Sequence, residues 1–317
     1  MARVFYRSWS QGEAGIELDR INNLGLTNEW LSGHTEYQKI KLKDVWLSTN
    51  GAEQVPGAGF TQMSWHAESY VYNRQQHDIF PVDKRFNLRF HFNPNFCKYP
   101  NTKQLSIYTW WKNELPLFLE TVKNKKPEFM FGMVLGKKPE DRSTFPSCYF
   151  GHARSEIVRA SKNRSFRYYG YDWSKDDPNY GGEAYVKGNR SDPAKFHDAR
   201  ILMTKAKFVW ATENTHDEFY SKNYLTEKMW HGFLAASVPI YAGCWNIDEL
   251  IDPSLYIDMR KFNHDYEAIM NYCEKMPEME YQGYLSRIGD FLTKEGQSFT
   301  GESRFKELDR HIHNYFI

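Results

Sequence analysis

Residues 207–243, KFVWATENTHDEFYSKNYLTEKMWHGFLAASVPIYAG, decide the fold, because they read as strand, polar loop, helix and strand in turn. Residues 207–212 are a short apolar run with aromatic and β-branched side chains, whereas residues 213–223 are too polar for any core and form a loop. From Thr226 the spacing turns helical: Leu225, Met229 and Phe233 recur every four residues, with Trp230 and Leu234 beside them, so one face is apolar. Residues 237–243 return to the sheet. In such a unit the loop leaves the carboxyl end of a strand, and the helix presents backbone N–H groups and the positive end of its dipole. The stretch is therefore an expected anion site, with Lys228 in the first turn of its helix.

The flanking sequence repeats the alternation. Residues 129–135 are a continuous apolar run, as in a buried parallel strand. Residues 152–161, HARSEIVRAS, predict a short helix with Ile157 and Val158 inward; residues 166–171 predict a strand, 174–189 a long polar loop and 255–257 another short strand. Strands alternating with helices imply a parallel doubly wound sheet. Upstream, residues 2–8, 40–47, 59–66 and 86–92 predict strands of a first α/β domain, residues 93–102 a turn-rich segment, and residues 115–122 a helix. Residues 123–127, KNKKP, are polar, basic and stopped by proline, the best linker in the chain. Residues 266–275 and 281–292 predict helices, and Phe305, Leu308, Ile312 and Phe316 form a four-residue stripe for a terminal amphipathic helix. The expected organisation is one domain over 1–127, a second over 128–296, and a C-terminal helix over 297–317 that packs back.

With 317 residues the chain exceeds the size of about 250 to 300 residues at which single cores stop growing. Apolar residues at 41% and charged residues at 26% suggest neither a disordered chain nor a membrane protein, and a formal charge of +1 argues against a dedicated nucleic-acid binder. Aromatic residues reach 17%, which suits stacking on the C–H faces of sugars and equally suits an aromatic core. Cys97, Cys148, Cys244 and Cys273 lack CxxC spacing or paired histidines, so no zinc site is expected. No apolar run approaches the ~18 residues of a membrane span, and residues 1–12 lack a signal-peptide core. A cytoplasmic location, or a soluble catalytic domain apart from its anchor, is the expectation. The sequons at Asn163 and Asn189 are then incidental.

Three blocks carry a family resemblance: Thr212-Glu213-Asn214-Thr215, then Tyr224-Leu225-Thr226-Glu227-Lys228, then Ala235 through Gly243 with its V-P-I-Y-A-G ending. Together they resemble the signature of the α1,3-fucosyltransferases of glycosyltransferase family 10. Residues 253–257 and 260–262 are similar to later elements of that family, with Lys261 where the family carries an acid, and Arg154 is similar to its arginine at the start of a helix. In the first half, residues 88–93 and 105–111 resemble family segments less closely, and Glu68 is the counterpart of its sugar-facing glutamate, without the proline that often follows.

The resemblance implies a GT-B-type α/β fold of two Rossmann-like domains across a cleft, and inverting transfer of L-fucose from GDP-fucose to a glycan hydroxyl. It implies Glu68 as the base, with Arg154, Glu213, Asn214, Tyr224, Glu227 and Lys228 at the donor. By chemistry, the departing diphosphate gains negative charge and needs cations, and the incoming hydroxyl needs a base. Arg154 and Lys228 would converge on the diphosphate, Glu227 would hold the ribose hydroxyls, and Glu213 would alternatively hold the loop together. Asp78, Glu53 and His66 compete with Glu68 as base. A D-x-D metal motif is absent, so no cofactor and no obligatory metal are expected. Replacing Lys228 by Ala is expected to abolish turnover without unfolding the protein. The alternatives are a transferase of the same fold using another GDP- or UDP-sugar, and a non-catalytic glycan-binding protein.

Overall fold

Strands in the first half pair in parallel and in sequence order: β1 (Val4–Arg7), β2 (Val45–Thr49), β3 (Thr61–His66), β4 (Leu88–His91) and β5 (Thr102–Gln104). The structure is a computed structural model, and it describes residues 4–7, 45–49, 61–66, 70–71, 77–78, 80–82, 84–107, 110, 112–141, 145–184 and 200–315. Met63, Trp65, Leu88 and Phe90 are buried, and so are Ser64 and His66, so β3 is covered on both faces as a central parallel strand must be. β5 lies inside and just beyond the segment expected to be only turns. Its residues, Thr-Lys-Gln, are polar and two of the three are exposed, so an edge strand this short carries no apolar alternation to read.

The second sheet is also parallel, with β6 (Phe129–Val134), β7 (Phe166–Tyr169), β8 (Ala206–Thr212), β9 (Val238–Ala242) and β10 (Ile257–Asp258) in the order β10-β9-β8-β6-β7. β6 has β7 on one side and β8 on the other, so the strand order reverses there. In doubly wound sheets the crevice outside the carboxyl ends of the strands at such a reversal is where ligands bind.

The described α-helices include α1 (Leu115–Asn124), α2 (Ala153–Ala160), α3 (Glu227–Leu234), α4 (Ile247–Leu250), α5 (Tyr266–Lys275), α6 (Glu278–Thr293) and α7 (Gly301–Tyr315). The four-residue spacing read in α3 is realised: Met229, Trp230, Phe233 and Leu234 are fully buried against the sheet. Each such side chain contributes about 1.5–3 kcal/mol. Gly232 permits the close approach, since a Cβ there would stand 2.8 Å from Val209 Cγ2.

α1 precedes residue 127, yet it packs with the second core. Phe118 joins that core, and Trp110 stacks on Trp230 with ring centroids 6.1 Å apart. α1 ends at Asn124, and Lys125 turns extended toward Pro127. Lys125 Nζ then donates to Ala235 O at 3.0 Å and Ser237 Oγ at 2.7 Å, tying the segment down; burial pushes this ammonium down to about 7.

α7 returns to the first sheet. His311 lies 5.8 Å from the Phe90 ring, and His311 and Tyr315 line a cavity of about 520 Å³ with Leu88 of β4 and Thr102 of β5. Leu308 and Ile312 of the apolar stripe are buried, whereas the Phe305 side chain and Phe316 lie outside the described residues.

The two sheets meet through the polar loop of the opening stretch. Tyr70 stacks on Tyr220 at 3.9 Å between centroids, and Asn93 and Asn95 both donate to Phe219 O, at 2.7 and 2.9 Å. The loop that leaves β8 therefore touches the first domain before it enters α3.

Candidate active site

Arg154 is the second residue of α2, reached from β6 by a loop, and it is only 3% exposed. Its Nη1 donates to Gly136 O at 2.9 Å and its Nη2 to Asn214 Oδ1 at 2.7 Å. Gly136 follows β6 by two residues and Asn214 follows β8 by two. The guanidinium thus spans the point where the strand order reverses. The first N–H groups of α2 are used locally, Ala153 N by Phe150 O and Ser155 N by His152 O, so the positive charge at this helix end is carried by the side chain.

Lys228 is the second residue of α3, whose N-cap is Thr226. Its ammonium lies 3.0 Å from Glu213 Oε2 and donates to Thr226 Oγ1 at 2.8 Å and Glu227 Oε1 at 3.1 Å. Burial by itself lowers this ammonium, but Glu213 and Glu227 more than offset it and hold it above its ordinary value; Arg154 opposes them, which places its charge within reach of Lys228. Glu213 is fully buried, accepts from Thr226 N at 3.0 Å and from Thr226 Oγ1 at 2.8 Å, and so caps α3. Burial raises the Glu213 carboxyl, and Lys228 works against that. At Glu227, burial around the carboxylate is outweighed by Lys228 and His231, which hold it at about 2, while 45% of its side chain stays exposed.

Glu213, Thr226, Glu227 and Lys228 are therefore one hydrogen-bonded cluster, and Asn214, next to Glu213 in the chain, holds Arg154 beside it. Glu213 turns its carboxylate inward and acts on Lys228 and Thr226, the loop-holding role weighed for it above. Gly243 makes that possible: with φ +154 and no Cβ it lets Glu213 Cγ approach to 2.2 Å of where a Cβ would stand. Tyr224 is buried beneath the same loop with its ring 5.3 Å from Phe92 of the first domain, at the seam between domains.

On the facing domain, Glu68 and Glu53 lie outside the described residues. His66 ends β3 and is 2% exposed, and Asp78 Oδ1 accepts from Tyr70 OH at 3.0 Å. Burial, then Asp78, pushes the Tyr70 hydroxyl up to about 12. Sequence reasoning missed what surrounds His66. His91, which ends β4, stacks on it at 5.6 Å, and His91 Nε2 lies 3.4 Å from His77 Nδ1. Burial, then His77 and His66, keep the His91 imidazole well below its ordinary value, so it is neutral. The signal available was that His66 closes one predicted strand and His91 stands one residue before the end of another, so both fall at the carboxyl edge. Among the described residues no group of three or more His, Cys, Asp or Glu is placed to hold a metal ion, and no helix is long and apolar enough to cross a membrane.

Residues 180–297 match the family model described as Glycosyltransferase family 10 (fucosyltransferase) C-term. The match lies within the second half of the chain. An α-(1,4)-fucosyltransferase of Arabidopsis thaliana is 34% identical over 98 residues, which is 31% of this chain and 20% of that protein, so this chain is similar to about a fifth of its relative's length. An α-glucosyltransferase solved with UDP and DNA aligns over 98% of this chain and 99% of its own with a TM-score of 0.59 at 10% identity. An α1,3-fucosyltransferase solved with GDP aligns over 90% of this chain and 81% of its own, with a TM-score of 0.47 at 15% identity. The fold is the GT-B glycosyltransferase fold. The family 10 match contains Glu213, Asn214, Tyr224, Glu227 and Lys228; Arg154 lies outside it and is tied to it through Asn214.

Proposed function

We propose that the chain transfers L-fucose from GDP-fucose to a hydroxyl of a glycan acceptor, with inversion at the anomeric carbon and without an obligatory metal. The observation that carries this reading is Arg154 bridging Gly136 O and Asn214 Oδ1 at the strand-order reversal, next to the Lys228 ammonium at the head of α3. Two buried cations at one crevice suit a diphosphate whose negative charge rises as it leaves. Lys228 is pre-set by Glu213, so it is charged and oriented before the donor arrives, which lowers the reorganisation needed in the transition state. Glu227, half exposed and ionised, accepts from the ribose hydroxyls. Asn214 fixes the Arg154 fork, and Tyr224 holds the loop at the domain seam.

In the transfer step the acceptor oxygen attacks the anomeric carbon from the side opposite the diphosphate. The bond from that carbon to the diphosphate oxygen breaks, its electron pair leaves with GDP, and the acceptor proton passes to Glu68. The proposed location is cytoplasmic, or that of a soluble catalytic domain.

The test is product formation from GDP-fucose over a panel of glycan acceptors, followed by mass spectrometry, for the wild type and Arg154→Lys. Fucosylated product from the wild type and at least a tenfold loss of kcat/KM in the variant support the reading. Transfer only from UDP-sugars, or none from any nucleotide sugar while GDP still binds, would replace it with a same-fold transferase of other donor or with a glycan-binding protein.

A further inference from the structure

Trp245 is a large aromatic residue held at the surface on purpose-built supports. It lies two residues past Gly243 at the carboxyl end of β9, and 38% of it is exposed. Its backbone is pinned on both sides: the Trp245 N–H donates to Ser221 O at 3.2 Å, and its carbonyl accepts from Arg260 Nη1 at 2.5 Å. Arg260 is in turn fixed by Asp258 and Asp248. An indole kept partly in water by such fixed backbone geometry forgoes burial that would stabilise the fold.

Its neighbours form an aromatic cluster that backbone contacts tie to the anion site. His216 lies 5.4 Å from the Trp245 ring at an interplanar angle of 39°, and His264 lies 5.3 Å from His216. Phe150 backs both, at 5.4 and 5.3 Å. The same Phe150 N–H donates to the backbone O of Asn214, the residue whose side chain holds the Arg154 fork, and Gly243 abuts Glu213, which grips Lys228. His216 Nδ1 lies 3.0 Å from Gly243 O, a contact in which only a ring N–H can serve as donor. Burial keeps this imidazole below its ordinary value, so it is neutral, and its Nε2 is left as an acceptor. His264 is held at φ +57, and its Nδ1 has no hydrogen-bond partner among the described residues.

We propose that Trp245 is the stacking platform for the nucleobase of the donor, and that His216 Nε2 accepts a hydrogen bond from the N–H edge of that base. The proposal rests on the nucleotide-sugar reading of the Arg154 and Lys228 cluster and adds the part of the site that holds the base. All members of the aromatic cluster belong to the second domain, the domain that carries the anion cluster, whereas an acceptor glycan faces the first. One base on one aromatic face is worth about 1–3 kcal/mol, a change of roughly five- to a hundredfold in affinity.

The experiment is isothermal titration of the wild type, Trp245→Ala and Trp245→Phe with GDP and with inorganic pyrophosphate. The expected result is a five- to hundredfold weaker Kd for GDP in Trp245→Ala, partial recovery in Trp245→Phe, and an unchanged Kd for pyrophosphate in both. Unchanged GDP affinity in Trp245→Ala overturns the proposal. An equal loss for GDP and pyrophosphate overturns it too, because Trp245 then acts through the anion cluster. A wild type that binds pyrophosphate but gains nothing from the guanosine overturns the base site alone, whereas one that binds neither probe overturns the donor reading with it.

Discussion

Lys228→Met removes a charge whose partner cannot follow it into water. The Lys228 ammonium and the Glu213 carboxylate are 3.0 Å apart, and Glu213 is fully buried. At an effective dielectric constant of about 20 that separation corresponds to about 5.5 kcal/mol of attraction. Breaking one side of a buried pair typically costs about 3–5 kcal/mol, because the remaining charge stays desolvated. Lys228→Met is therefore expected to lose about 3–5 kcal/mol of unfolding free energy in urea titrations, and Glu213→Gln a comparable amount. The double variant Glu213→Gln/Lys228→Met leaves no fully buried charge orphaned, since Glu227, the other partner of Lys228, keeps 45% of its side chain exposed, so its loss falls short of the sum by at least about 2 kcal/mol. GDP binding is absent from both proteins that lack the lysine. The structure thus changes what sequence alone suggests for Lys228→Ala, which treated the lysine as removable without harm to the fold. Losses that add within about 0.5 kcal/mol would refute the coupling and with it the pre-set lysine.

Other consequences are open to direct measurement. Gly243→Ala puts a methyl group 2.2 Å from Glu213 Cγ at a φ of +154, so thermal unfolding should show a loss of several kcal/mol together with loss of GDP affinity; a variant as stable as the wild type would contradict the packing. Lys125 is pushed down to about 7 in the folded chain and returns to its ordinary value near 10.5 on unfolding, so between those pH values only the unfolded state holds this proton. Stability from this group therefore rises with pH across that window, by up to about 1.4 kcal/mol per pH unit, and the stability difference between the wild type and Lys125→Met should move in the wild type's favour as pH increases. A difference that is flat from pH 7 to 10 would contradict it. Transfer activity is expected to persist in excess chelator, because Arg154 and Lys228 supply the positive charge; complete loss restored only by manganese would contradict that.

The second domain was legible because its signals are local. The apolar run of β8, the four-residue spacing of α3 and the return at β9 all lie within residues 207–243, and burial of Met229, Trp230 and Phe233 follows from that spacing. What the sequence could not convey was the partner of each polar residue. Glu213 and Lys228 are fifteen positions apart and meet only because Gly243 lets the strand ends close, and Arg154 reaches Asn214 across sixty residues. Trp110 and α1 read as part of the first half, yet their apolar faces find the second core, since helical periodicity reports that a face is buried and not against what. The His66, His77 and His91 group depends on two strand ends lying side by side, a relation fixed by sheet order and invisible along the chain.

The most direct test of the diphosphate site is thermal unfolding of the wild-type protein with GDP, GMP and UDP, each at the same concentration. At ~100 times its dissociation constant a ligand adds about 2.7 kcal/mol of stability. The account predicts that GDP raises the melting temperature, that GMP raises it less for want of the second phosphate, that UDP also falls short of GDP, and that the GDP increment vanishes in Arg154→Lys. Equal shifts with GDP and GMP, or a GDP shift that survives in Arg154→Lys, would contradict it.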